Sequence, residues 1–510
     1  MNVRTQVIIL LVVGIILISG GLVFMSMFPS IFEKMLTKKL ILAPGTETMD
    51  SFTSPPIPIY MQFYMFNLTN KDDVVNTGAK PNLQQLGPYT YEEGRLKHDF
   101  KWNDDLGIIT YRQNKSFYFR EDLSEGNLET DKITTINAVM ISLASKLSTL
   151  PDFAHGIGQI FLKRFNVNPF ITRTVGELLF AGYKEPLLKQ LGAITKDPVM
   201  KTGKFGFFYP KNNTNDGTYT VYTGARGMEN YMNIYSWHGQ KEVEFWKEDR
   251  CNMINGTEGS QFPPPLLREN NVVLFTAELC RSIYATYEKD VQHGPLTLYR
   301  YVLPDELLAE SDENKCYCPD DFSCRAGMMN IGPCKDGKPV IMSTPHFYQG
   351  NIEDARLLIG IEPNKEEHQT YLDLEPNTGV VFRAAKRLQV NMPLRRYADL
   401  PALKNVPELI YPILWVNESA VVPLDRSENL HQKLTKPKFV VKVACWGLVA
   451  LGALLILIGI VRCILNICSN GGDKVQGVNN RKENYDAKDN GVTNYLLLHC
   501  YCGQNTANTS

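Results

Sequence analysis

The chain of 510 residues has no charge surplus: 53 Lys and Arg stand against 54 Asp and Glu, a net charge of −1. Nothing in that balance suggests nucleic-acid binding. No H-E-x-x-H or G-x-S-x-G occurs, and the eight histidines are scattered without metal-ligand spacing. A P-loop pattern in "GPCKDGKP" (332–339) fails because Pro339 stands where a Mg²⁺-binding Ser or Thr belongs. Asp373 and Glu375 in "YLDLEP" lie two residues apart before Pro376, and fit a turn better than an acid–base pair. No catalytic constellation emerges, and no metal or cofactor is implied. Between the hydrophobic ends there is no low-complexity linker and no internal repeat. The middle of the chain therefore reads as one continuous domain.

Those ends carry the strongest signal. Residues 7–28, "VIILLVVGIILISGGLVFMSMF", hold no charge and are long enough to cross a hydrocarbon core of about 30 Å. The run exceeds a signal-peptide core and ends in Met-Phe-Pro, so it reads as an uncleaved anchor. Residues 443–461, "VACWGLVALGALLILIGIV", form a second uncharged span between Lys442 and Arg462. Two spans put residues 1–6 and 462–510 in one compartment and residues 29–442 in the other. The basic residues beside the spans do not decide which is which. Five sequons in the loop, at Asn67, Asn114, Asn212, Asn255 and Asn417, favour an extracellular or lumenal ectodomain with cytoplasmic termini.

Cysteine usage follows from that compartment. Six of the eleven cysteines (Cys251, Cys280, Cys316, Cys318, Cys324, Cys334) fall in one ectodomain window, 251–334. An even count in an oxidising space predicts three disulfides, and the spacing is a poor match to zinc knuckles. Cys463 and Cys468 flank the cytoplasmic end of the second span, where S-acylation and an unmodified thiol are both open. Residues 469–494 have the composition of a disordered segment. Beyond them, Tyr495 and Leu498 fit a tyrosine-x-x-apolar sorting signal. The alternative is a tail segment lying on the bilayer beside Cys500 and Cys502.

Within the ectodomain, β-branched and aromatic runs at 59–68, 116–120, 218–223, 296–303 and 388–392 predict a largely antiparallel β core, punctuated by turns such as Gly87-Pro88. Residues 133–150 instead space Ile136, Val139, Met140, Leu143, Leu147 and Leu150 as one face of a helix. Asp152 is placed to cap a second helix at 153–165, and Thr174-Val-Gly-Glu177 is a capping box for a third. Their apolar faces read as core rather than as a ligand surface.

Several long motifs occur in one order from span to span: "PPIPIYMQFYMFNLTN" (55–70), "KPNLQQLGPYTY" (80–91), "RTVGELLFAGYKEPL" (173–187), "CNMINGTEGSQFPP" (251–264), "ELCRSIYATYEKDV" (278–291), "YRYVLP" (299–304), "HQTYLDLEPNTG" (368–379) and "AKRLQVN" (385–391). Through them the chain resembles the class B scavenger receptors. That family includes the fatty-acid translocase, the high-density-lipoprotein receptor, a lysosomal integral membrane protein and the insect croquemort.

The resemblance implies a mixed α+β fold: two spans, an antiparallel β-barrel-like ectodomain, an apical helical bundle at about 133–187 and an internal lipid tunnel. It implies the pairs Cys251–Cys316, Cys280–Cys334 and Cys318–Cys324. It also implies a receptor for lipids, lipoproteins or anionic and apoptotic-cell ligands that passes apolar cargo to the plasma membrane or a lysosomal or endosomal membrane, with endocytic adaptors as possible partners. In the apical segment the matching cations are Lys146, Lys163 and Arg164, with His155 as a pH-responsive neighbour. Lys163 and Arg164 also suit the C-terminal end of a helix dipole. A two-span cation channel fits the topology, but residues 443–461 lack the polar stripe of a pore. A membrane-anchored enzyme is the third class.

Overall fold

The structure, a computed structural model, describes residues 2–148, 168–195, 198–320, 322–397 and 400–476. The chain forms two compact units: Pro29–Lys438, and separately Met1–Phe28 with the chain from Phe439 onward. The smaller unit is built from parts of two long helices, Val3–Leu40 and Leu424–Gln476. Both helices overrun the uncharged stretches, and Pro29 and Pro437 lie inside them without ending them. Ile8, Val23, Leu451 and Leu457 are exposed, as side chains facing acyl chains should be. Small residues let the two helices approach closely, for a Cβ at Gly14 would lie 2.8 Å from the Gly452 carbonyl oxygen.

The larger unit is dominated by one antiparallel sheet. Strands β1 (Ile59–Leu68), β2 (Leu83–Asn103) and β3 (Ile108–Phe119) are joined in order. Two short pairs follow off the sheet, β4 (Lys132–Ile136) with β5 (Phe170–Thr174) and β6 (Tyr183–Lys184) with β7 (Lys204–Phe205). β8 (Thr214–Tyr222) returns to β3, and β9 (Ile234–Trp237) pairs with β8. The second half adds β10 (Val272–Thr276), β11 (Arg281–His293), β12 (Leu296–Val302), β13 (Met328–Asn330), β14 (Ile341–Ser343), β15 (Tyr371–Leu374), β16 (Val381–Leu394) and β17 (Leu409–Val421). The order is β10-β11-β12-β15-β16-β17-β1-β2-β3-β8-β9, with β14 attached to β16 and β13 to β14.

The two ends of this order meet through a single short segment. Ile234 N–H at β9 donates to the Gly256 carbonyl (2.8 Å), and Phe275 N–H at β10 donates to the Thr257 carbonyl (2.8 Å). The sheet is thereby nearly a barrel. Gly256 is required at that seam: its φ is +80°, and a Cβ would sit 2.1 Å from the Val273 carbonyl oxygen.

The predicted strands are present, with two corrections. Gly87-Pro88 does not end a strand; it lies inside β2, at a register shift opposite Phe63 and Met65. Residues 133–150 are not one helix. Ile133 and Ile136 belong to β4, where Thr134 and Thr172 hydroxyls meet at 2.8 Å across the pair. The helix begins only at Ala138, because Asn137 Oδ1 accepts from Met140 N–H as its cap, and it runs to Leu147. Ile-Thr-Thr-Ile is β-branched throughout, and two isoleucines three apart satisfy a helical template by coincidence.

The expected second helix, 153–165, falls outside the described residues. At the third, Glu177 accepts from Thr174 N–H (3.0 Å) as a capping box does, but only one π-helical turn, Glu177–Ala181, follows. A separate helix, Pro186–Thr195, comes next. Val139, Met140, Ile141 and Ala144 of the first helix are buried, so its apolar face is core.

Candidate functional site

Strand alternation decides what the sheet presents inward. Tyr111, Gln113 and Lys115 on β3, Ala384, Lys386 and Leu388 on β16, Glu418 and Ala420 on β17, and Ile283 and Ala285 on β11 all line one internal cavity. Its volume is about 250 Å³, just below the ~300–1,000 Å³ usual for ligand pockets. Much of the wall is apolar, including Ile57, Ile59, Leu274, Leu303 and Val381.

Across that wall runs a chain of ion pairs. Arg95 on β2 bonds Glu93 (2.8 Å) and Glu418 on β17. Lys386 bonds Glu418 (3.4 Å) and Glu278 (3.1 Å), which lies in the turn between β10 and β11. Lys115 bonds Glu278 (3.6 Å) and Asp216 (3.5 Å). Behind them Lys97, 3 % exposed, pairs with Glu258 at 3.4 Å.

The register explains why the carboxylates are needed. Arg95 and Lys115 stand directly opposite each other on β2 and β3, an unfavourable like-charge pair unless anions intervene. Lys386 and Glu418 are direct partners on β16 and β17.

Burial alone would raise the Glu418 carboxyl, but Lys386, Arg95 and Lys115 reverse this and hold it well below the carboxylate range. Glu278 is held down likewise, with Lys386 and Lys115 outweighing burial. Burial opposes the charge on Lys386, which Glu278 and Glu418 nevertheless stabilise, raising its pKa. Lys97 goes the other way: burial lowers it, and Glu258 only partly compensates.

A second polar region is built around two buried histidines that stay neutral. His346 and His368 stack with ring centroids 4.4 Å apart, 7° from parallel. His346 Nδ1 accepts from Glu362 N–H (2.9 Å), so the ring proton is on Nε2, which donates to Gln85 Oε1 (2.8 Å). Trp415 Nε1–H donates to the same oxygen at 2.7 Å. His368 Nδ1 accepts from Asn364 N–H (2.9 Å). Burial, then the neighbouring ring, depresses His346 to about 3; burial, then Arg387, depresses His368 to about 4. Gln389 Oε1 accepts from His346 N–H (2.7 Å), while its amide nitrogen donates to Asn391 Oδ1 (2.8 Å).

The residues singled out by sequence are spread over the molecule. Disulfides join Cys251–Cys316, Cys280–Cys334 and Cys318–Cys324, with Cα atoms 6.5, 6.4 and 5.4 Å apart. Cys334 is thus bridged within the rejected P-loop pattern. Asp373 is not in a turn: it is a buried residue of β15 held by Arg300 (2.7 Å) and Arg383 (2.7 Å). Glu375 does make a turn, accepting from Thr378 N–H at 2.8 Å. Asn212 and Asn255 are exposed; Asn67, Asn114 and Asn417 are half-buried on β1, β3 and β17. Lys146 is exposed at the end of the helix Ala138–Leu147, and Cys463 and Cys468 are exposed on the last helix. His155, Lys163, Arg164, Tyr495 and Leu498 lie outside the described residues. Among the described residues no group of acidic, His or Cys side chains could hold a metal ion.

Neither the cavity charges nor the histidine pair was singled out by sequence. The usable signal was "EGRLK" (93–97), which places Glu93, Arg95 and Lys97 on one face of a strand.

Comparison with known proteins agrees with this architecture. Lysosome membrane protein 2 of Rattus norvegicus is 35% identical over 404 residues, covering 79% of this chain and 83% of the relative. The Homo sapiens protein of the same name is 34% identical over the same shares. Scavenger receptor class B member 1 of Bos taurus is 30% identical over 455 residues, 88% of this chain and 87% of the relative. The sequence model of the CD36 family matches residues 11–463. With its two apolar helices and near-barrel sheet, the chain is a two-span membrane protein and belongs to the CD36 family.

Proposed function

We propose that the chain is a membrane receptor for lipids or lipid-bearing particles, and that the internal cavity receives the apolar part of the cargo on its way to the bilayer. The cavity, walled by alternate residues of the sheet, carries this reading. An acyl chain sheltered there avoids a water-exposure cost of about 0.8 kcal/mol per methylene. The name of the class B scavenger receptor relative supports a receptor role, and that of the lysosomal relative supports a lysosomal membrane as one residence. We further assign outward ligand docking to the segment bearing Lys146, His155, Lys163 and Arg164. Glycans on Asn67, Asn114, Asn212, Asn255 and Asn417, acylation of Cys463 and Cys468, and sorting through Tyr495 and Leu498 belong to the same reading.

Ala384 faces Ala420 across β16 and β17 on the cavity wall, so a large side chain at this position fills the space. Cells expressing Ala384→Phe at the normal surface level are expected to lose uptake of a fluorescent lipid ester that cells with the unaltered chain take up. Undiminished uptake would remove the cavity from the route. A cation current in place of lipid uptake would turn the assignment to a channel.

A further inference from the structure

Three cations line the cavity, Arg95, Lys115 and Lys386, together with four carboxylates, Asp216, Glu258, Glu278 and Glu418. Each of the three cations touches two carboxylates at once. A lysine opening into an apolar cavity ordinarily needs a counter-ion, and the carboxylate of a fatty acid would serve. Here the protein supplies that counter-ion itself, from strands far apart in sequence. An incoming acyl carboxylate would have to displace Glu278 or Glu418, or lie beside them as an additional buried anion. Lys335 does not alter this, since it is not in the wall and its ammonium donates to the Ala277 carbonyl oxygen at 3.3 Å. What the wall offers besides ion pairs is uncharged, and includes the Gln113 amide and the Tyr111 and Tyr219 hydroxyls.

We propose that Glu278 and Glu418 are specificity-determining residues. By occupying Lys115, Lys386 and Arg95, they make the cavity a site for lipids whose polar head is uncharged, such as an alcohol or ester, and turn away lipids bearing a carboxylate. The inference rests on the cavity being the lipid route. It goes further in naming the head-group class and the two residues that set it. Arg95 has a special position, because it also lines a surface cleft of about 680 Å³ that shares Pro55, Ile57 and Ile59 with the cavity. The ion chain therefore begins where the cavity wall meets the outer surface.

The test compares a long-chain fatty acid with the fatty alcohol of the same length, binding to the full-length protein in detergent at neutral pH. Ala384→Phe sets the non-specific background. The unaltered protein is expected to bind the alcohol roughly tenfold or more tightly than the acid. Glu278→Gln and, separately, Glu418→Gln should tighten the acid roughly tenfold without tightening the alcohol. Apolar surface exposed by misfolding would tighten acid and alcohol alike, so a gain confined to the acid excludes it, and Lys386→Gln should give no such gain. Equal binding of acid and alcohol by the unaltered protein would overturn the inference alone, as would an acid-to-alcohol ratio unmoved by either Glu substitution. Binding of neither lipid above the Ala384→Phe background would overturn the cavity reading and this inference with it.

Discussion

Around the cavity, β2, β3, β16 and β17 hold Arg95, Lys115, Lys386 and Glu418 as half-buried charges, each satisfied by a neighbour of opposite sign. Elsewhere on β16 and β17, Gln389, Asn391 and Trp415 surround His346 and His368 with neutral hydrogen-bonding groups. Both regions take polar atoms out of water. The charged region depends on partners being present, since each ion alone would be costly to bury. The neutral region depends on protons staying where they are, since both Nδ1 atoms already face an N–H donor.

The largest effect should come from removing one shared anion. Glu418→Leu leaves Arg95 and Lys386 beside each other without their common carboxylate, and should cost about 3–5 kcal/mol in denaturant unfolding. Adding Lys386→Leu should recover much of that loss. In the neutral region Gln389→Leu strands the His346 N–H, and should cost only about 1–3 kcal/mol. Similar losses from Glu418→Leu and Gln389→Leu would erase the distinction between the regions.

Acid should separate the regions by pH. Both histidines have folded pKa values below the unfolded value of about 6.5, so the unfolded chain takes up protons that the folded chain refuses. Stability is therefore full above pH 6.5 and falls as pH drops toward 4, by about 2 kcal/mol per histidine at pH 5. Glu278 and Glu418 are depressed carboxyls. Their contribution is intact above the unfolded value of about 4.3 and is lost only as pH falls further. Thermal unfolding between pH 7 and 5 should thus lose about half its slope in His368→Gln, His346 supplying the rest, and keep its slope in Glu278→Gln; the reverse pattern would mean the assignment is wrong.

The smallest effect on stability belongs to exposed cations. Lys146→Gln should change stability by no more than about 0.5 kcal/mol. If the docking assignment holds, the triple replacement of Lys146, Lys163 and Arg164 by Gln weakens anionic-ligand binding and flattens its salt dependence. Unchanged binding by a well-expressed triple variant moves docking elsewhere.

The strands were legible because residues such as those at 59–68 and 296–303 carry β-branched and aromatic side chains in short punctuated runs. The full length of β2 was not, because Gly87-Pro88 looks like a stop while the sheet absorbs it as a register shift. Ile133 and Ile136 fit a helix as well as a strand, because three-residue spacing cannot tell the two apart over so short a stretch. The cavity charges were hidden for a different reason. Arg95 and Glu418 are 323 residues apart, and only the register of three neighbouring strands, β17, β1 and β2, brings them into one wall.

The seam at Gly256 and Thr257 also orders events during synthesis. An Asn-x-Thr acceptor is read through its threonine as well as its asparagine. Thr257 is wholly buried between the two sheet ends, although Asn255 itself is exposed. Any sugar carried at Asn255 must therefore be attached while the chain is still open, before β9 and β10 come together. Were Asn255 to carry a glycan, its occupancy would be a timer, reporting how long the last gap in the sheet stays open.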